Sequence, residues 1–217
     1  MTQQLSARER WLLSRLEGTE IVDVGFAGQK GKLPPYYRAF GSGTRRVIGV
    51  DFNEPAVLAR AIPRSTVADA TRLPFRDGHA DAVILGEFLE HQSDLVPFLR
   101  ECRRVLRVGG QLLITTPNPA FLNRVIRHWL MPRGTSHLAD DNVRKAMEYE
   151  DHVVLWDPLS VCSVLSRNGF DVRELTTLGI WIPGLGRVVP RFRRGLYVDV
   201  WPFNRLGHIT CIDARRL

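Results

Sequence analysis

Lysine is scarce in this 217-residue chain. It occurs only at Lys30, Lys32 and Lys145, and the rest of the 30 basic residues are arginine. Cysteine is scarce as well: Cys102, Cys162 and Cys211 stand far apart. An odd number without framework spacing excludes a disulfide scaffold, and isolated thiols at no ligand spacing exclude a thiolate metal cluster. They read as reduced, buried thiols. Long apolar runs are missing. No stretch reaches the ~18–20 residues that a membrane helix needs. The opening segment, Met1-Thr-Gln-Gln-Leu-Ser-Ala-Arg-Glu-Arg10, has no apolar signal core, so the expected compartment is cytoplasmic. There is also no internal repeat and no low-complexity segment. The chain is otherwise an ordinary globular one, 44% hydrophobic and 24% charged, with a length that suits one large domain. The 30 basic residues face 23 acidic ones, and the formal charge of +7 leaves an anionic partner open.

Short apolar runs alternate with helical patterns. Glu20–Gly25, Val47–Asp51, Thr66–Asp69, Ala82–Leu85 and Gln111–Thr116 read as strands one to five. Ser6-Ala-Arg-Glu9 fits a capping box and starts an N-terminal helix that Gly18 can close. Glu54–Ala61 and Asp94–Leu106 read as helices; the second places Leu95, Phe98, Leu99, Cys102, Val105 and Leu106 on one face. A helix over Pro158–Arg167, closed by Asn168-Gly169, precedes strand six at Phe170–Leu175, and Ile209–Asp213 is strand seven. Strands apolar on both faces, alternating with helices, imply an α/β fold with a parallel sheet covered on both sides. The expected organisation is one domain over 1–217. It has an N-terminal helix in 1–19, a core over 20–175, and irregular insertions at 117–150 and 176–208 where ligand contacts are sought.

Three acids close three successive strands: Asp23, Asp51 and Asp69. Each alone reads equally well as a cap or turn residue. Together they fall where open α/β sheets bind ligands. Gly25 and Gly28 allow a sharp turn after strand one, yet the spacing Gly25-x-x-Gly28-x-x-Gly31 is not that of a pyrophosphate loop. Asp23 beside the loop counts against phosphates and suits a ligand with a positive centre. A nicotinamide-dependent reductase is disfavoured on both counts. Asp51 can accept both hydroxyls of a ribose. Asp69, with Ala70, Leu73 and Phe75 after it, can accept from an exocyclic amine.

These pieces resemble the class I S-adenosylmethionine-dependent methyltransferases, in the branch acting on small molecules and sugars. The resemblance rests on Ile21–Gly25, Val47–Asp51, Ala68–Phe75, Asp81–His91, Arg104–Gly110, Asp151-His-Val153 and Asn168-Gly-Phe170. It implies a Rossmann-like, doubly wound, seven-stranded sheet, mostly parallel with the last strand antiparallel. It also implies S-adenosyl-L-methionine as cofactor. The loop Gly25, Phe26, Ala27 and Gly28 would hold the methionine part, with Asp23 nearby. Asp51 and Phe52 would bind at the ribose, Asp69 and Ala70 at the adenine, and Gly86 and Glu87 at the amino-acid end. The loop departs from the family's usual run of glycines, since Phe26 is bulky and Ala27 replaces a glycine. A non-catalytic partner protein on the same fold is therefore an alternative reading.

Transfer to a hydroxyl usually needs a general base or a metal. His91, after strand four, and His152, before the next helix, are the candidate bases; His137 is weaker. Each also has a plain structural reading. Asp140-Asp141-Asn142 offers oxygen ligands, but a helix cap before Val143-Arg144-Lys145 is preferred, and no metal site is expected. Trp181–Phe203 interleaves arginines with aromatics. Trp181–Leu217 carries seven arginines against Asp199 and Asp213, so much of the charge excess is local. This stretch suits a phosphate-bearing acceptor, a peripheral membrane contact, a lid or a dimer interface. The expected partner is a small-molecule acceptor, a hydroxyl of a sugar or biosynthetic intermediate, rather than nucleic acid. The protein is expected to be a monomer or homodimer. An RNA methyltransferase, motivated by the +7 charge, is the alternative enzyme.

Overall fold

The computed structural model describes residues 5–27, 44–52, 64–121, 152–179 and 205–217. The described residues form helix α1 (Ala7–Arg15), strands β1 (Glu20–Val24), β2 (Arg46–Asp51), β3 (Ser65–Val67) and β4 (Ala80–Gly86), a 3₁₀ turn (Leu89–His91), α2 (Val96–Val105), β5 (Leu106–Pro117), α3 (Pro158–Arg167), β6 (Phe170–Leu178) and β7 (Ile209–Arg216). The expected helix at Glu54–Ala61 and the stretch Trp181–Phe203 lie outside these residues.

One seven-stranded sheet runs in the order β3-β2-β1-β4-β5-β7-β6. β1 pairs in parallel with β2 and β4, β2 with β3, and β4 with β5. β7 is antiparallel to both β5 and β6. The α/β class, the strand count and the single antiparallel strand are those expected.

The side-chain alternation of β-strands sorts the core onto two faces. Val22, Val24, Val83, Leu85, Leu112 and Ile114 face the α2 residues Phe98, Leu99, Cys102 and Val105 and the α3 residues Val161 and Leu165. Ile21, Ala82, Ile84 and Leu113 face Trp11, Leu12 and Leu16, in and just after α1. The caps are those written in the sequence. Glu9 N–H donates to Ser6 Oγ at 3.2 Å and Ser6 N–H to Glu9 Oε2 at 2.6 Å, while Ser160 N–H donates to Asp157 at 2.9 Å.

Several boundaries differ from expectation, among them those of β5 and β6. β5 begins at Leu106 rather than Gln111, because Leu106 pairs with Ala80 before a register shift that takes up Val108-Gly109-Gly110. β6 continues to Leu178, past the expected core boundary, because its ladder with β7 runs on to Leu178 opposite Ile209.

Asp81 fastens the entry to β1. Its Oδ2 accepts from Thr19 N–H (2.8 Å), Glu20 N–H (3.0 Å) and Thr19 Oγ1 (3.2 Å), and its Oδ1 lies 2.7 Å from Arg107 Nε. The Glu20 and Thr19 amides hold this carboxyl below the usual carboxylate range. Its stabilisation is therefore present above the unfolded-state pKa and is lost as pH falls through the lower folded value. Asp81→Ala is expected to cost about 1–2 kcal/mol at neutral pH, from the hydrogen bonds removed. The gap to wild type should narrow in acid. Thermal unfolding of both proteins across pH checks it, and a gap that widens in acid would contradict the account.

Candidate active site

The parallel strands end together at one edge, and the expected site residues among those described gather there. Asp23 is buried within β1, one residue from its end. Gly25 follows at φ +76°, in the left-handed region, and its N–H donates to Val50 O at 2.8 Å. A β-carbon at Gly25 would also sit 2.9 Å from the Phe88 ring, so both backbone and packing require glycine.

Phe26 resolves its own oddity. Its ring is buried against Gly49 of β2, where an added β-carbon would lie 2.7 Å from it. The missing side chain of Gly49 makes the space for the ring. The bulk therefore turns down into the sheet rather than across the loop. Ala27 is buried, and its N–H donates to Asp51 Oδ2 at 3.0 Å. The carboxylate at the end of β2 thus ties the loop of β1 to its own strand. Phe52 beside it is 80% exposed, an unusual setting for a large apolar ring. Gly28 lies outside the described residues.

Asp69 needs a correction. It does not close strand three, which ends at Val67. Asp69 lies two residues beyond, exposed, in a turn where its Oδ1 accepts from the N–H and Oγ1 of Thr71, both at 2.8 Å. The Thr71 amide holds its carboxyl below the usual range. Ala70 and Phe75 both pack, partly buried, against the core.

Gly86 ends β4 opposite Thr115. Glu87 follows with φ +55°, and its N–H donates to Thr115 O at 2.8 Å. That backbone is costly for a non-glycine residue and is held by this bond. The Glu87 side chain pairs with Arg8 of α1 at 3.5 Å.

The 3₁₀ turn then presents Glu90 and His91, and the structure brings His152 to them. The two imidazole centroids are 5.2 Å apart. His152 Nε2 lies 3.9 Å from Glu90 Oε1. The segment after His152 is clamped to the turn: Val153 N–H donates to Glu90 O at 2.8 Å, and Trp156 Nε1 to Leu89 O at 2.9 Å. Glu90 is fully buried. Thr116 Oγ1 donates to its Oε2 at 2.9 Å, whereas its Oε1 has no hydrogen bond. Burial, and then the nearby Glu87, push its carboxyl up to about 8.

The two candidate bases therefore meet, though α2 and β5 lie between them in the chain. Glu90 and Thr116 were missed as site residues. The signal for Glu90 was its position next to His91 at the end of the strand-four motif. His137 and Asp140-Asp141-Asn142 lie outside the described residues.

Residues 22–114 match the family described as "Methyltransferase domain". Over that stretch the chain resembles the class I S-adenosylmethionine-dependent methyltransferases. S-adenosyl-L-methionine is the cofactor that this likeness implies. A probable S-adenosylmethionine-dependent methyltransferase of Mycobacterium tuberculosis is 42% identical over 78 residues, 34% of this chain and 28% of that protein. A malonyl-[acyl-carrier protein] O-methyltransferase of Coxiella burnetii is 36% identical over 121 residues, 54% of this chain and 40% of that one. The matches thus span less than half the length of these curated relatives. Among solved structures, a SAM-dependent methyltransferase from Archaeoglobus fulgidus superposes with a TM-score of 0.64 at 18% identity, over 97% of this chain and 92% of that one. That likeness concerns the fold. Within the described residues, no helix of this protein is long and apolar enough to cross a membrane.

Proposed function

We propose that the protein transfers a methyl group from S-adenosylmethionine to a hydroxyl of a small-molecule acceptor, a sugar or other biosynthetic intermediate. The observation that carries this reading is the convergence of Glu90, His91 and His152 at the strand edge that also gathers Asp23, Gly25 and Asp51. S-adenosylmethionine supplies a methyl group on a sulfonium centre, an electrophile with a good leaving group.

The residues present fit it. Asp23 places a buried acid near the positive centre. The loop Gly25, Phe26, Ala27 and Gly28 takes the methionine part, and Phe26, turned into the sheet, does not obstruct it. Asp51 accepts the ribose hydroxyls, and Phe52 offers an exposed apolar face beside them. Asp69 and Ala70 lie at the adenine, and the backbone at Gly86 and Glu87 at the amino-acid end. His91 and His152 serve the loss of the acceptor's proton. Holding the acceptor oxygen in line with the methyl group supplies much of the remaining acceleration.

The O-methyltransferase name of the Coxiella relative supports an oxygen acceptor. Regions 117–150 and 176–208 would add acceptor contacts, with the arginine- and aromatic-rich part of the second suited to an anionic group or a membrane surface. The test is transfer of labelled methyl to panels of hydroxyl, amine and carbon acceptors. Label that is stable to mild base and confined to the hydroxyl panel is expected. Label confined to amines, or to RNA, would overturn the reading.

A further inference from the structure

We infer that Glu90, His91 and His152 form a binding site for a divalent transition-metal ion. One ligand atom from each lies within 4.8 Å of the other two. The donor set is two imidazoles and one carboxylate. Imidazole nitrogens favour zinc-like first-row ions over magnesium or calcium, which prefer oxygen. Three protein ligands are also the arrangement that leaves a coordination position open to substrate.

The surroundings are those of a prepared site. Glu90 is fully buried, and its two oxygens are used differently: Oε2 accepts from Thr116 Oγ1, and Oε1, the oxygen nearest His152 Nε2, has no hydrogen bond. A buried carboxylate oxygen without a donor is costly, and a cation at that point removes the cost. The Thr116 hydroxyl has the place of an outer-shell partner that fixes a ligand's orientation. His152 is preorganised by the two backbone bonds from Val153 and Val154 to Glu90 O, and by Trp156 on the same turn. Donors about 2.1 Å from one tetrahedral ion lie about 3.4 Å apart, so the 3.9 Å between Glu90 and His152 is nearly closed already. His91, part-buried on the 3₁₀ turn, already offers a ring nitrogen within 4.8 Å of the other two donors.

The metal site stands on this geometry. Its role rests on the function proposed above: an ion with open positions lowers the pKa of a bound hydroxyl, which serves acceptor activation. This proposal departs from the sequence-based expectation of no metal site.

The test uses the untagged full chain, stripped with chelator and titrated with cobalt(II) chloride. Binding is followed by visible absorption of the ion and by calorimetry. One ion per chain is expected, with the spectrum of a low-symmetry, nitrogen-containing site. Glu90→Gln and His152→Ala should abolish that spectrum, and Thr116→Val should weaken binding about 10-fold or more, as loss of an outer-shell partner does. His79→Gln should leave it unchanged. Each protein is also titrated with S-adenosylhomocysteine. Retained affinity for that ligand shows the variants folded. No cobalt spectrum in a wild type that binds S-adenosylhomocysteine would overturn the metal site alone. So would a spectrum that Glu90→Gln and His152→Ala leave intact. Loss of S-adenosylhomocysteine binding in wild type would instead sink the proposed function and leave the cobalt result to stand by itself.

Discussion

Asp51→Ala should weaken S-adenosylhomocysteine binding at least ~100-fold, because it removes two kinds of interaction at once. The first is the acceptance of the ribose hydroxyls by a carboxylate; hydrogen bonds to charged groups are worth about 1.5–3 kcal/mol each. The second is the bond from Ala27 N–H to Asp51 Oδ2, which ties the β1 loop to β2. Losing that bond leaves a buried amide donor without a partner, at a cost of about 1–3 kcal/mol. The variant should therefore also melt at lower temperature than wild type. Asp51→Asn separates the two effects. An amide oxygen can still accept from Ala27, so stability should largely return while affinity stays reduced. Unchanged affinity in Asp51→Ala would place the ribose elsewhere.

His152→Ala should lower kcat by about 10²–10⁴-fold, the usual worth of assisted proton loss from the acceptor, whether the imidazole takes the proton or holds the ion that activates the hydroxyl. Affinity for S-adenosylhomocysteine should change only a few-fold, because the cofactor-side residues are untouched. The split between the two readouts matters. A merely structural histidine, holding the Val153–Trp156 segment on the 3₁₀ turn, would cost stability and cofactor affinity together. That segment is held mainly by backbone bonds and by Trp156 Nε1, so it should survive the substitution. A variant with full kcat would remove His152 from the chemistry.

Most of the sheet could be read from the chain because its strands are short apolar runs bounded by glycine, proline or acid. The strand-end acids Asp23 and Asp51 were legible for the same reason: a charge at the end of a buried run is visible in sequence. Asp69 was misplaced by two residues. Thr66–Asp69 looks like a strand with an acid at its tip, but the Asp69–Thr71 hydrogen bonds compete with strand pairing and draw the chain into a turn. The place of Phe26 was not legible at all. Its ring fits because of Gly49, a residue on a different strand, and nothing local announces that pairing. The approach of His152 to Glu90 and His91 has the same character. It comes from a segment docking by backbone hydrogen bonds onto a 3₁₀ turn, which leaves no periodic mark in the side-chain pattern. Sequence could nominate the two histidines separately, and only the fold could join them to the buried carboxylate.

The central claim is that the edge formed by β1, β2 and β4 binds the methyl donor. Calorimetric titration of the full wild-type chain with S-adenosylhomocysteine, set beside NAD and a short RNA, tests it most directly. Saturable heat at one ligand per chain with S-adenosylhomocysteine, and none with NAD or RNA, is the predicted result. Absence of heat with S-adenosylhomocysteine, or binding of RNA that weakens steeply with salt, would contradict it.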